Sequence, residues 1–192
     1  MKLVNFLSQI DETRCTGCKK CEAICPAAAI HMAGNKAHVD EKRCVACTKC
    51  WNICPEEAVV MVPRKEEMVV GIAPEEVSQE EIESLCRKAH LYPDQFICAC
   101  TLTPAKEVAA AIIKGATSPE EITAMTGVRS GCAMYCMAPV LRLFKAHGVS
   151  LNPPDNHRWY NVPLSLWDIP EAIIQKYPNY YLEEDKKELY ES

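Results

Sequence analysis

Apolar residues recur at helical spacing between residues 74 and 148, which predicts a series of short amphipathic helices. The first is opened by the stretch that begins at Pro74, and its apolar stripe consists of Ile82, Leu85, Cys86 and Ala89. Acidic residues are frequent around it, so we interpret residues 64–95 as an acidic linker with one amphipathic helix. Because Cys86 lies on the apolar stripe with no cysteine at ligand spacing, we predict a buried thiol there.

Residues 96–148 contain helix start and stop signals that predict three helices. Thr103 and Pro104 form an N-cap with proline at the first helical position, and Ser118 with Glu121 forms a capping box that opens the second helix. Glycines end these two helices, at Gly115 and Gly127. The third helix has apolar residues at helical intervals, namely Cys136, Val140, Leu141 and Phe144. We therefore predict a small all-α, three-helix domain over this range.

An internal repeat organises residues 1–63. Residues 10–32 and 39–61 are two copies of one unit at a constant offset of 29 residues, without a gap. Each copy carries the spacing C-x2-C-x2-C-x3-C-P, at Cys15, Cys18, Cys21, Cys25 and Pro26, and at Cys44, Cys47, Cys50, Cys54 and Pro55. Between the cysteine runs, Gly34-Asn35 predicts a turn that joins two short strands. Short strands and helices together predict an α+β fold for this part.

Cysteine is unusually frequent, at 13 of 192 residues. A secreted chain could use so many in disulfides, but the stretch "MKLVNFLSQIDETRC" has no long apolar region, and no run approaches ~18 apolar residues. We therefore expect a cytoplasmic protein without a membrane span, in which clustered cysteines bind metal. The net charge of −5, with no basic tract, argues against binding to nucleic acid.

The two cysteine runs resemble those of the bacterial two-cluster ferredoxins, and the resemblance covers residues 1–63. It implies two [4Fe-4S] clusters, each held by three cysteines of one run and the fourth cysteine of the other. Site I would then consist of Cys15, Cys18, Cys21 and Cys54, and site II of Cys44, Cys47, Cys50 and Cys25. Pairs of zinc sites also use C-x2-C spacings, but zinc requires no duplicated fourth cysteine followed by proline. Three lysines lie inside the ligand loops, at Lys19, Lys20 and Lys49.

A second group of cysteines surrounds the predicted helices: Cys98, Cys100, Cys132 and Cys136. The C-x-C pair, the Thr-Pro helix start, the Gly-Ala-x-Ser-x-Glu-Glu-Ile junction and the run "TGVRSGC" resemble the [2Fe-2S] domain of bacterioferritin-associated ferredoxins. The resemblance implies that these four cysteines form a third cluster site, here called the third site.

The cluster type at the third site stays open between [2Fe-2S], [4Fe-4S] and a structural zinc, because four cysteines suit all three. The resembling family ends in C-x2-C, whereas "CAMYC" contains one more residue. Since residues i and i+4 share a helix face, we expect Cys132 and Cys136 to reach one iron from the start of the last helix.

Residues 149–192 are rich in proline and aromatic residues and contain no cysteine. We interpret them as an extended docking tail, with anchor residues at Trp159, Tyr160, Trp167, Tyr180 and Tyr181. The tail could cover this chain's own small domains or contact another subunit. We favour a hetero-oligomer in which it contacts a catalytic oxidoreductase subunit. Domains like residues 96–148 occur beside flavin-dependent dehydrogenases, so the resemblance implies a flavoprotein partner.

The chain shows no dinucleotide fingerprint, no P-loop and no catalytic set apart from the cluster cysteines. We therefore expect a non-catalytic electron-transfer subunit that relays single electrons through two [4Fe-4S] clusters and one further cluster. A free multi-cluster ferredoxin is the alternative within redox function. An iron- or redox-sensing module is the alternative from another class.

Overall fold

The computed structural model describes residues 1–151 and 165–191, and the chain forms two compact units, residues 1–160 and 161–192. Helices and short strands alternate in the larger unit, which confirms the predicted mixture of helix and strand. Among the described residues, no helix is long and apolar enough to cross a membrane. Trp159 and Tyr160 of the predicted tail lie outside the described residues.

The first part of the larger unit is built from the duplicated sequence. Its elements are β1 (Lys2–Ile10), α1 (Lys20–Ile24), β2 (Ile30–Ala33), β3 (Lys36–Val39), α2 (Lys49–Ile53) and β4 (Val59–Val70). β2 and β3 form an antiparallel hairpin, with Ala33 opposite Lys36, so the turn predicted at Gly34-Asn35 is confirmed. Each short helix ends at a cysteine followed by proline, because proline cannot continue the helix.

β1 and β4 pair antiparallel along their length, from Ile10 opposite Val59 to Lys2 opposite Val70, with a register shift between Val4 and Phe6. Residues 64–70, which begin the predicted linker, are therefore the second half of a long strand. The sequence pattern missed this because a two-stranded ladder exposes most side chains, and the acidic and basic residues of β4 are compatible with either a strand or a linker.

The second part of the larger unit is helical. It contains α3 (Gln79–Lys88), the short strands β5 (Phe96–Cys98) and β6 (Thr103–Pro104), α4 (Ala105–Ile113), α5 (Pro119–Thr126) and α6 (Met137–His147). Ser118 caps α5 as expected, and its hydroxyl accepts from the Glu121 amide at 3.2 Å. Thr103 is not the N-cap of α4, because it pairs with Cys98 in the β5–β6 ladder and the helix begins at Ala105.

Helix α3 shares one apolar core with the three helices that follow it, α4, α5 and α6. Its fully buried side chains include Ile82 of α3, Val108 and Ile112 of α4, Ile122 of α5 and Phe144 of α6. The apolar stripe predicted for the linker helix is thus covered by the helices that follow it. Because those helices would otherwise leave an apolar face exposed, α3 completes their core.

The two parts of the larger unit are in contact. The Lys2 ammonium, at the outer end of β1, donates to the Thr126 carbonyl at 2.7 Å and forms an ion pair with Glu107 at 3.1 Å. Ala124 of α5 packs against the apolar core of the first part. The end of the β1–β4 ladder and helix α5 therefore hold the duplicated part and the helical part together.

The smaller unit contains α7 (Glu171–Lys176) and α8 (Leu182–Glu191), each preceded by a short 3-10 turn. The turn at Leu166–Asp168 starts with a capping box, in which Ser165 donates to the Asp168 carboxylate at 2.6 Å. Among the side chains that the structure describes in this unit, Tyr177, Tyr180 and Tyr181 are exposed.

Candidate metal centres

The four cysteines predicted for site I line one cavity. Cys15, Cys18, Cys21 and Cys54 form its walls together with apolar side chains such as Ile10, Met32 and Val59. Cys21 is buried, Cys15 and Cys54 are half-buried and Cys18 is exposed, so the cavity is open to solvent on the Cys18 side. The structure thus brings these cysteines together, and their role as iron ligands stays a prediction.

Site II has the same construction but lies deeper. Cys25, Cys44, Cys47 and Cys50 line a second cavity, whose other walls include Ala27, Ile30 and Val45. Cys25, Cys44 and Cys50 are buried, and Cys47 is half-buried. Of the two sites in the duplicated part, site II is therefore the better shielded from water.

The two short helices each serve both sites. α1 carries Cys21 of site I and ends at Cys25 of site II, and α2 carries Cys50 of site II and ends at Cys54 of site I. Cys21 and Cys50 also belong to one buried apolar cluster. The exchange of the fourth cysteine between the two runs therefore places the sites side by side.

Hydrogen bonds to sulfur repeat in both copies. The Ala29 amide donates to the Cys25 sulfur at 3.2 Å, and 29 residues later the Ala58 amide donates to the Cys54 sulfur at 3.3 Å. Ser8 lies 3.4 Å from the sulfurs of Cys44 and Cys50, which the sequence reasoning missed because Ser8 stands outside the repeat. Such hydrogen bonds stabilise electron-rich sulfur and adjust the reduction potential of a bound cluster.

Burial disfavours the ionised form of several of these thiols. It raises the pKa of Cys21 and of Cys47 to about 11, and it also raises the pKa of Cys25 and Cys50. Free thiols at these positions would stay protonated at neutral pH, and only a positively charged partner inside the cavity would keep all of them as thiolates. Four sulfurs around an apolar cavity therefore fit an iron–sulfur cluster.

The third site is formed by two loops. Cys98 and Cys100 belong to β5 and the turn after it, and Cys132 and Cys136 lie between α5 and α6. Hydrogen bonds link Cys98 to Cys136 and Cys100 to Cys132. Cys98 and Cys136 are buried, and Cys100 and Cys132 are exposed. All four predicted cysteines thus meet at one edge of the helical part.

The closest approach of these loops depends on Gly131. A Cβ atom at this position would lie 2.4 Å from the Cys100 Cβ and 2.7 Å from its sulfur, which real contacts do not allow. Glycine is therefore required here by close approach, because only a residue without a side chain lets Cys100 reach Cys132.

The electrostatics of the third site differ from those of the other two. A hydrogen bond with Cys136 lowers the pKa of Cys98 to about 5, and the same hydrogen bond, together with burial, raises the pKa of Cys136. The backbone amides of Met134 and Tyr135 lower the pKa of the exposed Cys132. Convergent amide and thiol donors make this loop pair suited to an anionic cluster.

Cys132 and Cys136 do not share a face of the last helix, so this prediction was wrong. α6 begins at Met137 with Cys136 as its N-cap, and Cys132 lies in a turn that precedes the helix. That turn contains Ala133 in the left-handed backbone region, at φ 55°. The longer spacing of this chain is therefore accommodated in a loop, and both sulfurs still reach the same site.

Within residues 1–151 and 165–191, no three Cys, His, Asp or Glu side chains converge on a position suited to a single metal ion. Cys86 is fully buried on α3, as predicted, and burial raises the pKa of its thiol to about 11.

The sequence reasoning missed two contributors to the third site. Thr101 forms a hydrogen bond with Cys98, and the Arg129 amide donates to the sulfurs of Cys98 and Cys136.

Two protein-family models match parts of the chain. Residues 8–62 match the model of the 4Fe-4S dicluster domain, and residues 96–146 match the model of the BFD-like [2Fe-2S] binding domain. The first match contains sites I and II, and the second contains the third site. No curated protein and no solved structure matches the chain significantly. The chain therefore contains a match to a 4Fe-4S dicluster domain and a match to a BFD-like [2Fe-2S] binding domain, and these two domains together indicate an iron–sulfur electron-transfer protein.

Proposed function

We propose that the chain is the electron-transfer subunit of a larger cytoplasmic oxidoreductase and holds two [4Fe-4S] clusters and one [2Fe-2S] cluster. The observation that carries this proposal is the presence of three four-cysteine sites in one unit of the chain. Bound clusters would supply reversible one-electron chemistry. The chain itself holds the clusters, excludes water and sets the environment of their sulfurs.

The distribution of exposure supports a relay. Site I has the exposed Cys18 at its surface, and the third site has the exposed Cys100 and Cys132. Site II has three buried cysteines and one half-buried cysteine. A relay requires two ends that partners can approach and an interior that is protected from water, and this arrangement meets both requirements.

The smaller unit supports membership of a complex. Tyr180 and Tyr181 are 70% and 64% exposed, and tyrosine in such positions is characteristic of residues that anchor protein interfaces. We propose that they contact a catalytic subunit. A flavoprotein is the partner that the domain resemblance suggests, since an organic substrate would react elsewhere than on this chain.

The double variant Tyr180→Ser/Tyr181→Ser tests this proposal in the full-length chain. We expect the tagged wild-type protein to purify with a flavin-containing subunit in a fixed ratio, and the double variant to lose that subunit while it keeps its iron. The measurements are flavin and iron content and mass by light scattering. Tyr92→Ser is the matched control, because it removes another exposed tyrosine from the larger unit.

A monomeric wild-type protein that retains all its iron and exchanges electrons without any bound subunit would contradict the proposed complex. That result would instead support a free, diffusing carrier. Retention of the subunit by the double variant would show that the smaller unit is not the docking element.

A further inference from the structure

Two side-chain contacts connect the loops of site II to the loops of the third site. The first is made by Arg129, whose Nη1 donates to the Pro26 carbonyl at 3.2 Å. Pro26 directly follows Cys25, the cysteine that α1 contributes to site II. The Arg129 side chain thus ends at the backbone of a site II cysteine.

Arg129 also contacts the third site through its own backbone. Its φ is 72°, a conformation that is costly for a residue with a side chain, and its amide donates to the sulfurs of Cys98 and Cys136. The residue is buried, and Glu120 holds its guanidinium at 3.1 Å. One fixed residue therefore joins the sulfurs of the third site to the chain at Cys25.

The second contact is made by Lys49, which lies between Cys47 and Cys50 of site II. Its ammonium donates to the carbonyl of Gly131, the residue before Cys132 of the third site. Lys20 is the equivalent residue of the other copy, 29 positions earlier, and it is exposed beside site I. The duplicated lysines therefore differ in what they contact, and only the environment of Lys49 includes a third-site loop.

We propose that site II, rather than site I, exchanges electrons with the third site, and that Arg129 and Lys49 are the positioning residues for this exchange. Electrons would then pass between site I and site II, and between site II and the third site, so that the most buried site lies in the middle of the relay. In each exchange one electron leaves a reduced site and enters an oxidised one, and no covalent bond forms or breaks. The inference rests on the proposed electron-transfer function.

The contacts matter because the rate of electron tunnelling falls steeply with distance. Hydrogen bonds at Pro26 and Gly131 hold a loop of site II against a loop of the third site, next to Cys25 and Cys132. Charged donors to backbone carbonyls are among the stronger hydrogen bonds, and burial strengthens them further. Removing either donor is expected to loosen this contact without removing any cysteine.

The test compares Lys49→Met with Lys20→Met in the full-length protein loaded with its clusters. The two variants make the same chemical change at equivalent positions of the repeat. Arg129→Gln is a second variant, with Arg129→Lys as its conservative counterpart. Iron content and melting temperature are measured first, so that only variants with wild-type cluster content are compared.

Two properties are then measured. One is the rate at which the third site gains an electron after flash photoreduction of a partly oxidised sample. The other is the broadening of the third-site EPR signal that appears when its neighbour is also reduced. We expect Lys49→Met and Arg129→Gln to slow the exchange several-fold and to reduce the broadening. Lys20→Met should leave both at the wild-type level, and Arg129→Lys should retain part of the effect.

The outcomes separate this inference from the proposed function. If the wild-type third site gains no electron from the other sites, the relay itself is wrong. If wild-type exchange occurs but Lys49→Met behaves like Lys20→Met, the assignment of site II as the neighbour is overturned. Selective slowing by Lys20→Met would reverse the order and place site I beside the third site.

Discussion

Left-handed backbone conformations recur at matching residues of the two copies, and most of these residues are not glycine. The pairs, 29 positions apart, are Gly17 and Ala46, Lys19 and Thr48, and Ala28 and Glu57. Such conformations turn successive amides toward one side of a loop, where they can face an anion. They cost free energy, so their recurrence indicates that the fold of each cysteine loop was duplicated together with the cysteines. Propensity alone could not predict them, since lysine, threonine and alanine rarely adopt positive φ.

A substitution at Gly131 tests whether the third site depends on the close approach of this residue to Cys100. We expect Gly131→Ala to abolish the third cluster while sites I and II keep theirs, because the new Cβ would overlap Cys100. EPR of the reduced protein, together with iron content, measures this loss. Ala133→Gly is the control in the same loop, where glycine relieves a left-handed residue, and it should leave the third cluster intact. A Gly131→Ala protein with an unchanged third-site signal would contradict the geometry described for this loop.

The buried thiol of Cys86 predicts how the free energy of unfolding depends on pH. Its folded pKa is about 11, above the ordinary value of 9.0, because burial disfavours the thiolate. The folded state therefore keeps the proton longer than the unfolded state does, and the resulting stability is complete below pH 9 and is lost between pH 9 and pH 11.

We expect the free energy of unfolding to fall across this window by up to about 2–3 kcal/mol more in the wild type than in Cys86→Ala, since two pKa units correspond to that amount. Urea denaturation at several pH values measures the difference between the two proteins. Parallel pH profiles for the two proteins would show that the thiol is not shielded.

At the scale of elements, helix positions were predictable from the sequence, but the partners of the helices were not. The stripe of Ile82, Leu85 and Cys86 correctly predicts the amphipathic helix α3, yet periodicity does not say which surface covers the stripe. In the structure the following helices cover it. The sequence predicts a linker over the second half of β4 for a similar reason, because the pairing of this strand with β1 is a long-range contact that no local pattern indicates. The boundary at residue 96 stays a prediction.

The packing of α3 gives a prediction at this scale. Ile82→Ala should lower the free energy of unfolding of the helical part by about 2–5 kcal/mol, because a fully buried side chain is truncated. Glu83→Ala, on the exposed face of the same helix, should change it by less than about 0.5 kcal/mol. Chemical denaturation followed by circular dichroism compares the two. Equal, small effects would mean that α3 is a free linker helix.

At the scale of the whole molecule, three sites lie in one unit and differ in exposure in the way that a relay requires. The sequence predicts two sets of four cysteines from the spacing and its resemblance, and each set lines one cavity of the structure. The position of the third site relative to sites I and II could not be predicted from the sequence. It depends on contacts of Arg129 and Lys49 and on the end of the β1–β4 ladder, and none of these is marked by a sequence motif.

The most direct test of the central claim is anaerobic iron and sulfide analysis combined with EPR of the dithionite-reduced protein. Two [4Fe-4S] clusters and one [2Fe-2S] cluster predict about ten irons per chain, with a [2Fe-2S] signal beside those of the cubanes. About eight irons with one zinc would contradict the account, because the third site would then hold no electron carrier. About twelve irons without a [2Fe-2S] signal would contradict the assignment of the third cluster.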